Sequence, residues 1–159
     1  MPVRPTHPRV AMVYQPNAVG QLAAGMMAFL CGDDVALLCA FPQERGLMRP
    51  AVLEALGEIG IAADPNLPVM APARCYHEVI VICDEASCEN LLDIPNGPRT
   101  TWCFAAIDRR NESAEVTVAR TRIVRRMIQA RLERWCLDHC SPRRYRHALR
   151  SIVSRSAGF

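Results

Sequence analysis

The chain has 159 residues, half of them hydrophobic and 22% charged, enough for one core-forming globular domain and too structured in composition for a disordered chain. Its longest apolar runs, 35–41 and 79–83, are far too short to span a bilayer, and the opening MPVRPTHPRV has neither the apolar core nor the cleavage site of a signal peptide. The formal net charge of +3 conceals a division: residues 1–119 hold 8 Arg against 14 acids, a net of −6, and residues 120–159 hold 11 Arg against 2, a net of +9. All basic residues are Arg, and no Lys occurs.

Residues 1–8, with Pro2, Pro5 and Pro8, read as a flexible arm. VAMVY at 10–14 is a short apolar run suited to a strand buried on both faces. QLAAGMMAFL at 21–30 is composed of strong helix formers, with Gly32 as the expected C-cap. VALLCAF at 35–41 predicts a second buried strand. RPAVLEALGEIG at 49–60 predicts a helix opened by Pro50, with Val52, Leu53, Leu56 and Ile59 on one face. EVIVIC at 78–83 is β-branched and bounded by polar residues, a clear strand. PNGP at 95–98 is a turn, and RTTWCF at 99–104 a fourth strand. A long helix follows over 113–140, with Val116, Ile123, Met127 and Leu132 as its expected apolar stripe. The alternation predicts an α/β fold: a four-stranded parallel sheet with helices on both faces, over residues 9–140. In such folds ligands sit at the carboxyl ends of the strands, here residues 14–21.

Four segments in this order resemble one family, the low-molecular-weight protein tyrosine phosphatases and the thioredoxin-coupled arsenate reductases. VAMVY followed by YQPNAVGQ (14–21) is similar to the family's V-L-F-V-C strand and C-x5-R-S loop. MRPAVLEALGEIGIAAD (48–64) resembles the segment ending E-I-G-I-D. YHEVIVICDEASCENL (76–91) resembles the reductases' D-Y-V-I-T-V-C-D with its second Cys, and RTTWCFAAIDRRNESAEV (99–116) their H-W-G-F-x-D-P stretch. The resemblance implies the phosphotyrosine-phosphatase-I-like fold. It also implies a thiolate nucleophile, an oxyanion-gripping Arg and a general-acid Asp. These positions are occupied by Tyr14, Gly20 and Ala106, with the loop's Ser position taken by Gln21 and Asp108 two residues late. A phenol with a pKa of about 10 cannot replace the thiolate, Gly20 cannot grip two oxyanion oxygens, and Pro16 removes a backbone N–H from the cradle. The expectation is a catalytically inactive phosphatase-like pseudo-enzyme, cytoplasmic and without a cofactor, that works as a binding or regulatory module. Tyr14 is expected to plug the former pocket. What is left for anion binding is Asn17, Ala18, Val19, Gly20 and Gln21, through helix N-terminal amides.

Other clusters carry alternatives. Cys83 and Cys88, in CDEASC, are candidates for a redox pair and for residual thiol chemistry of the phosphatase or arsenate-reductase type. Cys136, His139 and Cys140 are weak zinc candidates needing a fourth ligand from Cys103, Cys75 or His147. Residues 141–159 form a basic amphipathic extension in which Arg143, Arg144, Arg146, Arg150 and Arg155 surround an apolar stripe. It is a candidate docking element for an acidic protein surface, with residues 120–155 also suited to nucleic acid or an anionic membrane surface.

Overall fold

The computed structural model describes residues 9–41, 46–67, 75–88 and 94–139. Its elements run β1 (Val10–Tyr14), α1 (Ala18–Cys31), a 3-10 turn (Gly32–Asp34), β2 (Val35–Cys39), α2 (Pro50–Glu58), β3 (Glu78–Asp84), β4 (Arg99–Phe104) and α3 (Ala114–His139). The four strands form one parallel sheet in the order β2-β1-β3-β4. This is the α/β architecture expected from the alternation of strands and helices.

Strand composition explains the places of three of the four strands; VALLC of β2 is apolar throughout yet lies at an edge. VAMVY and EVIVICD are apolar in both phases of the pleat, and they take the two central places, buried on both sides. RTTWCF alternates, with only Trp102 and Phe104 buried, and it lies at the edge. Met12, Tyr14, Leu37, Ile80, Ile82, Trp102 and Phe104 face the main core, while Ala11, Val13, Ala36, Val79 and Val81 form a smaller cluster on the other face with Tyr76.

All three described helices contribute to the main core and contact one another. Among the described residues they therefore share one face of the sheet, where helices on both faces were expected. Helix α1 is the middle of this layer. Twelve of its fourteen residues are buried, because its composition is apolar all round and α2 and α3 flank it. Asn17 caps it, and Gly32, at φ 53°, ends it.

Of the face expected for α2, Val52, Leu56 and, just past the helix end, Ile59 are buried, and Leu53 is half-buried against the same core. In α3 the buried face is Thr121, Val124, Arg125, Ile128, Leu132, Trp135 and Cys136. Of the expected stripe only Leu132 is buried, whereas Val116, Ile123 and Met127 stand exposed. The error has a physical origin. Arg125 occupies a core-facing position: its Nη1 donates to the Ala55 carbonyl at 2.8 Å and to Glu58 at 2.8 Å, so the buried register passes through a charge. No described helix is long and apolar enough to cross a membrane.

Candidate functional site

The chain between β1 and α1 is a closed loop. Tyr14 is 2% exposed and belongs to the main core, so its ring does occupy the interior at the sheet's carboxyl edge. The free space bounded by Tyr14, Pro16, Gln21, Met48 and Leu67 amounts to about 10 Å³, room for one water and too little for a tetrahedral oxyanion. Gly20 explains the closure. A Cβ at this position would lie 1.9 Å from the Gln15 carbonyl oxygen, so the loop folds onto its own backbone where the family resemblance places an arginine.

Three amides of the helix start, those of Ala18, Gly20 and Gln21, are already engaged. Gly20 N–H donates to Asn17 Oδ1 at 2.9 Å, Gln21 N–H to the Asn17 carbonyl at 2.9 Å, and Ala18 N–H to Asp108 Oδ2 at 3.2 Å. The positive end of α1 thus carries an anion from its own chain, the Asp108 carboxylate, which also pairs with Arg49. Asn17 Nδ2 donates to Gln15 Oε1 at 3.0 Å and to Asp84 Oδ2 at 3.3 Å. Two carboxylates, Asp84 and the Arg49-paired Asp108, therefore border the five anion-loop candidates, Asn17 to Gln21, and compete with a phosphate or arsenate dianion for the donors there. Ala106, at the general-acid position, is buried and places its N–H 3.4 Å from Glu85 Oε1. Asp108, rather than a residue at 106, is the acid that reaches the loop. Arg49 and Gln21 are joined as well, Arg49 N–H to Gln21 Oε1 at 3.0 Å.

From this loop a polar network crosses to β3. Gln15 Nε2 donates to the Ser87 carbonyl at 3.0 Å, and Ser87 Oγ contacts both Gln15 Oε1 and Asp84 Oδ1. Asp84 Oδ1 also accepts from Ala86 N–H at 3.0 Å. The carboxylate of Asp84 thus shapes the turn 85–88 in the manner of an Asx turn, and that turn delivers Cys88.

Cys83 and Cys88 form a disulfide, S–S 2.06 Å with Cα atoms 5.2 Å apart. Cys83 is buried, at the end of β3 and on the sheet face opposite the helices; its register partner on β4 is Cys103. Cys103 is exposed, and its Sγ lies 3.1 Å from Cys88 Sγ. Since a disulfide sulfur carries no hydrogen, only Cys103 can donate in this contact. Asp84, Ser87 and Cys103 were not singled out in this role by sequence. Nothing in the spacing 83–88–103 signals proximity until the parallel register of β3 and β4 is known.

Of the zinc candidates, Cys136 and His139 are described, and among the described residues neither belongs to a metal-ligand cluster. Cys136 is buried with its Sγ 3.4 Å from Cys31 Sγ. His139 stacks on Trp135 with centroids 4.5 Å apart, and its two ring nitrogens lie 2.9 Å from the Trp135 carbonyl and 3.3 Å from Glu78 Oε2. Cys140 lies outside the described residues, as do His147 and the basic candidates Arg143, Arg144, Arg146, Arg150 and Arg155. Within α3 much of the basic charge is paired internally: Arg120 with Glu112, and Arg122 and Arg125 with Glu58. Hydrogen bonds from Arg122 and then Arg125 hold the Glu58 carboxyl down at about 2 from its ordinary 4.5.

No protein-family model and no curated protein sequence matches the chain. Among solved structures it is similar to the arsenate reductase of Archaeoglobus fulgidus DSM 4304, at 16% identity over 76% of this chain and 98% of that one, with a TM-score of 0.46. It is also similar to a thioredoxin-dependent arsenate reductase of Corynebacterium glutamicum, at 21% identity, TM-score 0.45, over 80% of this chain and 65% of that one.

Proposed function

We propose that this chain is a phosphatase-like domain that has given up oxyanion transfer at the β1–α1 loop and works as a thiol–disulfide redox module through Cys83 and Cys88. The observation that carries the reading is the Cys83–Cys88 disulfide at the end of a central strand, set in a shaped turn. The chemistry is a two-electron exchange. In the reduced form the half-buried Cys88 attacks a partner disulfide R–S–S–R as thiolate and releases one R–S⁻. The Cys83 thiolate then attacks Cys88 Sγ, closing the internal disulfide and releasing the second R–S⁻. The reverse sequence restores the dithiol. What supports the inactive-loop half of the reading is buried Tyr14, Gly20 against the Gln15 carbonyl, and the engaged amides of Ala18 and Gly20.

The test is a redox titration of the full chain in glutathione buffers, with the disulfide located by peptide mass spectrometry. Expected is one reversible two-electron couple at Cys83–Cys88, lost in Cys88→Ser, with no turnover of an aryl phosphate or arsenate. Aryl phosphate or arsenate turnover that survives Cys83→Ser would overturn the inactive-loop half of the reading, and turnover lost in Cys83→Ser would put oxyanion chemistry at the sulfur site and overturn the purely redox role. Cysteines that stay reduced in fully oxidised glutathione would overturn the redox half.

A second reading, a partner-binding module, is favoured by one observation: Val116, Ile123 and Met127 expose an apolar strip on α3 at 46%, 57% and 50%. Its partner would be a protein with an acidic rim, met by the neighbouring Arg126 and by the basic extension. An affinity capture comparing the full chain, residues 1–140 and Ile123→Glu separates the strip from the extension. Equal recovery of partners by all three would remove this reading.

A further inference from the structure

The sulfur site holds one cysteine more than a disulfide needs. Cys83, Cys88 and Cys103 place their three Sγ atoms within 4.8 Å of one another. They come from three separate positions of the scaffold: the end of β3, the turn that follows it, and the register partner on β4. Among the described residues no His, Asp or Glu joins the group. The nearby acids are otherwise engaged, Asp84 with Ser87 and the amide of Ala86, and Glu85 with Arg109.

We propose that, with the disulfide reduced, these three thiolates form a trigonal binding site for a soft monovalent cation, with Cu(I) as its representative. The donor set selects the class. Thiolates favour soft ions, and a structural Zn²⁺ site would require a fourth ligand. Metal–sulfur bonds of about 2.3 Å put the vertices of a trigonal site about 4 Å apart. In the disulfide form Cys83 and Cys88 are bonded at 2.06 Å and Cys103 lies 3.1 Å from Cys88, so after reduction the sulfurs take up that spacing by spreading about 1–2 Å. Accessibility is graded to suit entry from solvent: Cys103 is exposed, Cys88 half-buried and Cys83 buried. Reduction cleaves the S–S bond and takes up two electrons and two protons, the electrons coming from a dithiol that is itself oxidised to its disulfide. Binding then releases the thiol protons. Metal and disulfide exclude each other, so oxidation of Cys83 and Cys88 ejects the ion.

The proposal rests on the redox reading only in needing a reducible Cys83–Cys88 bond, and the experiment separates the two. The full chain is reduced with a dithiol, freed of it under anaerobic conditions, its thiols counted, and titrated with Cu(I) against a chromophoric Cu(I) chelator. Expected are one Cu(I) per chain, an X-ray absorption signature of three sulfur neighbours, and a loss of affinity of roughly tenfold or more in Cys103→Ser. Cys75→Ser, which changes an exposed thiol outside the group, should bind as the unaltered chain does. Unchanged affinity in Cys103→Ser, a two-sulfur signature, or a preference for tetrahedral Zn²⁺ would each overturn the proposal. A chain that reduces and reoxidises normally yet binds no Cu(I) would sink this proposal alone. A disulfide that resists the dithiol would sink it together with the redox reading.

Discussion

The two ends of this sheet edge were built on opposite faces and have opposite characters. On the helix face, the β1–α1 loop is sealed: a buried phenol, a glycine against a carbonyl, and helix amides satisfied from within. On the other face, one strand away, a disulfide lies beside an exposed thiol. The network Gln15–Asn17–Asp84–Ser87 joins them. On the proposed reading, the loop serves as a structural clamp that supports the turn carrying Cys88.

The largest expected effect tests the sealed side. Gly20→Ala sets a Cβ on a backbone oxygen and should cost about 4 kcal/mol in urea denaturation, at the upper end for a single substitution. If Tyr14→Cys with Gly20→Arg instead folds normally and hydrolyses an aryl phosphate, the loop is an open pocket and the contrast fails. Next comes the sulfur side. Chain-entropy reasoning for a loop closed between residues 83 and 88 gives about 2 kcal/mol. Reduction, or Cys88→Ser, should lower stability by that order and leave the sealed loop intact. The joining network should contribute less. A double-mutant cycle on Gln15→Ala and Ser87→Ala should give a coupling of roughly 1 kcal/mol, and a coupling near zero would mean that the two faces are energetically separate.

Much of the fold was legible because the apolar runs VAMVY, VALLC and EVIVICD, alternating with helices, mark a buried parallel sheet. Strand order was not legible: VALLC of β2 is as apolar as the central strands and still lies at an edge. Legible too was that positions 14 and 20 carry Tyr and Gly, neither of which supplies a thiolate or a guanidinium. The acid that reaches the loop was not legible: Asp108 arrives from two residues beyond the aligned Ala106, and only the path of the chain after β4 brings it to Ala18 N–H. Cys103 was hidden for a similar reason. A contact between residues 88 and 103 depends on β3–β4 register, to which local patterns are blind. The buried face of α3 was misread because a buried Arg125, compensated by Glu58 and the Ala55 carbonyl, looks polar in a sequence and interior in a structure.

The smallest expected effect asks whether the two faces answer to different variables. The helix face holds Glu58, gripped by Arg122 at 2.9 Å and Arg125 at 2.8 Å, its carboxyl lowered from 4.5 to about 2. A carboxyl whose folded value lies below its unfolded one stabilises the fold fully above about 4.5, and that contribution is lost as pH falls through about 2. Discounted for the partial exposure of Glu58 and Arg122, it should amount to roughly 1 kcal/mol. Acid denaturation of the unaltered chain should therefore steepen between those two values, and Glu58→Gln should flatten that part of the curve. The disulfide contributes no titrating group there, so reduced and oxidised chains should show parallel profiles displaced by a constant amount. Profiles that converge at low pH would mean that loss of the α2–α3 ion pairs is transmitted to the sulfur face, and the division of labour between the faces would have to be abandoned.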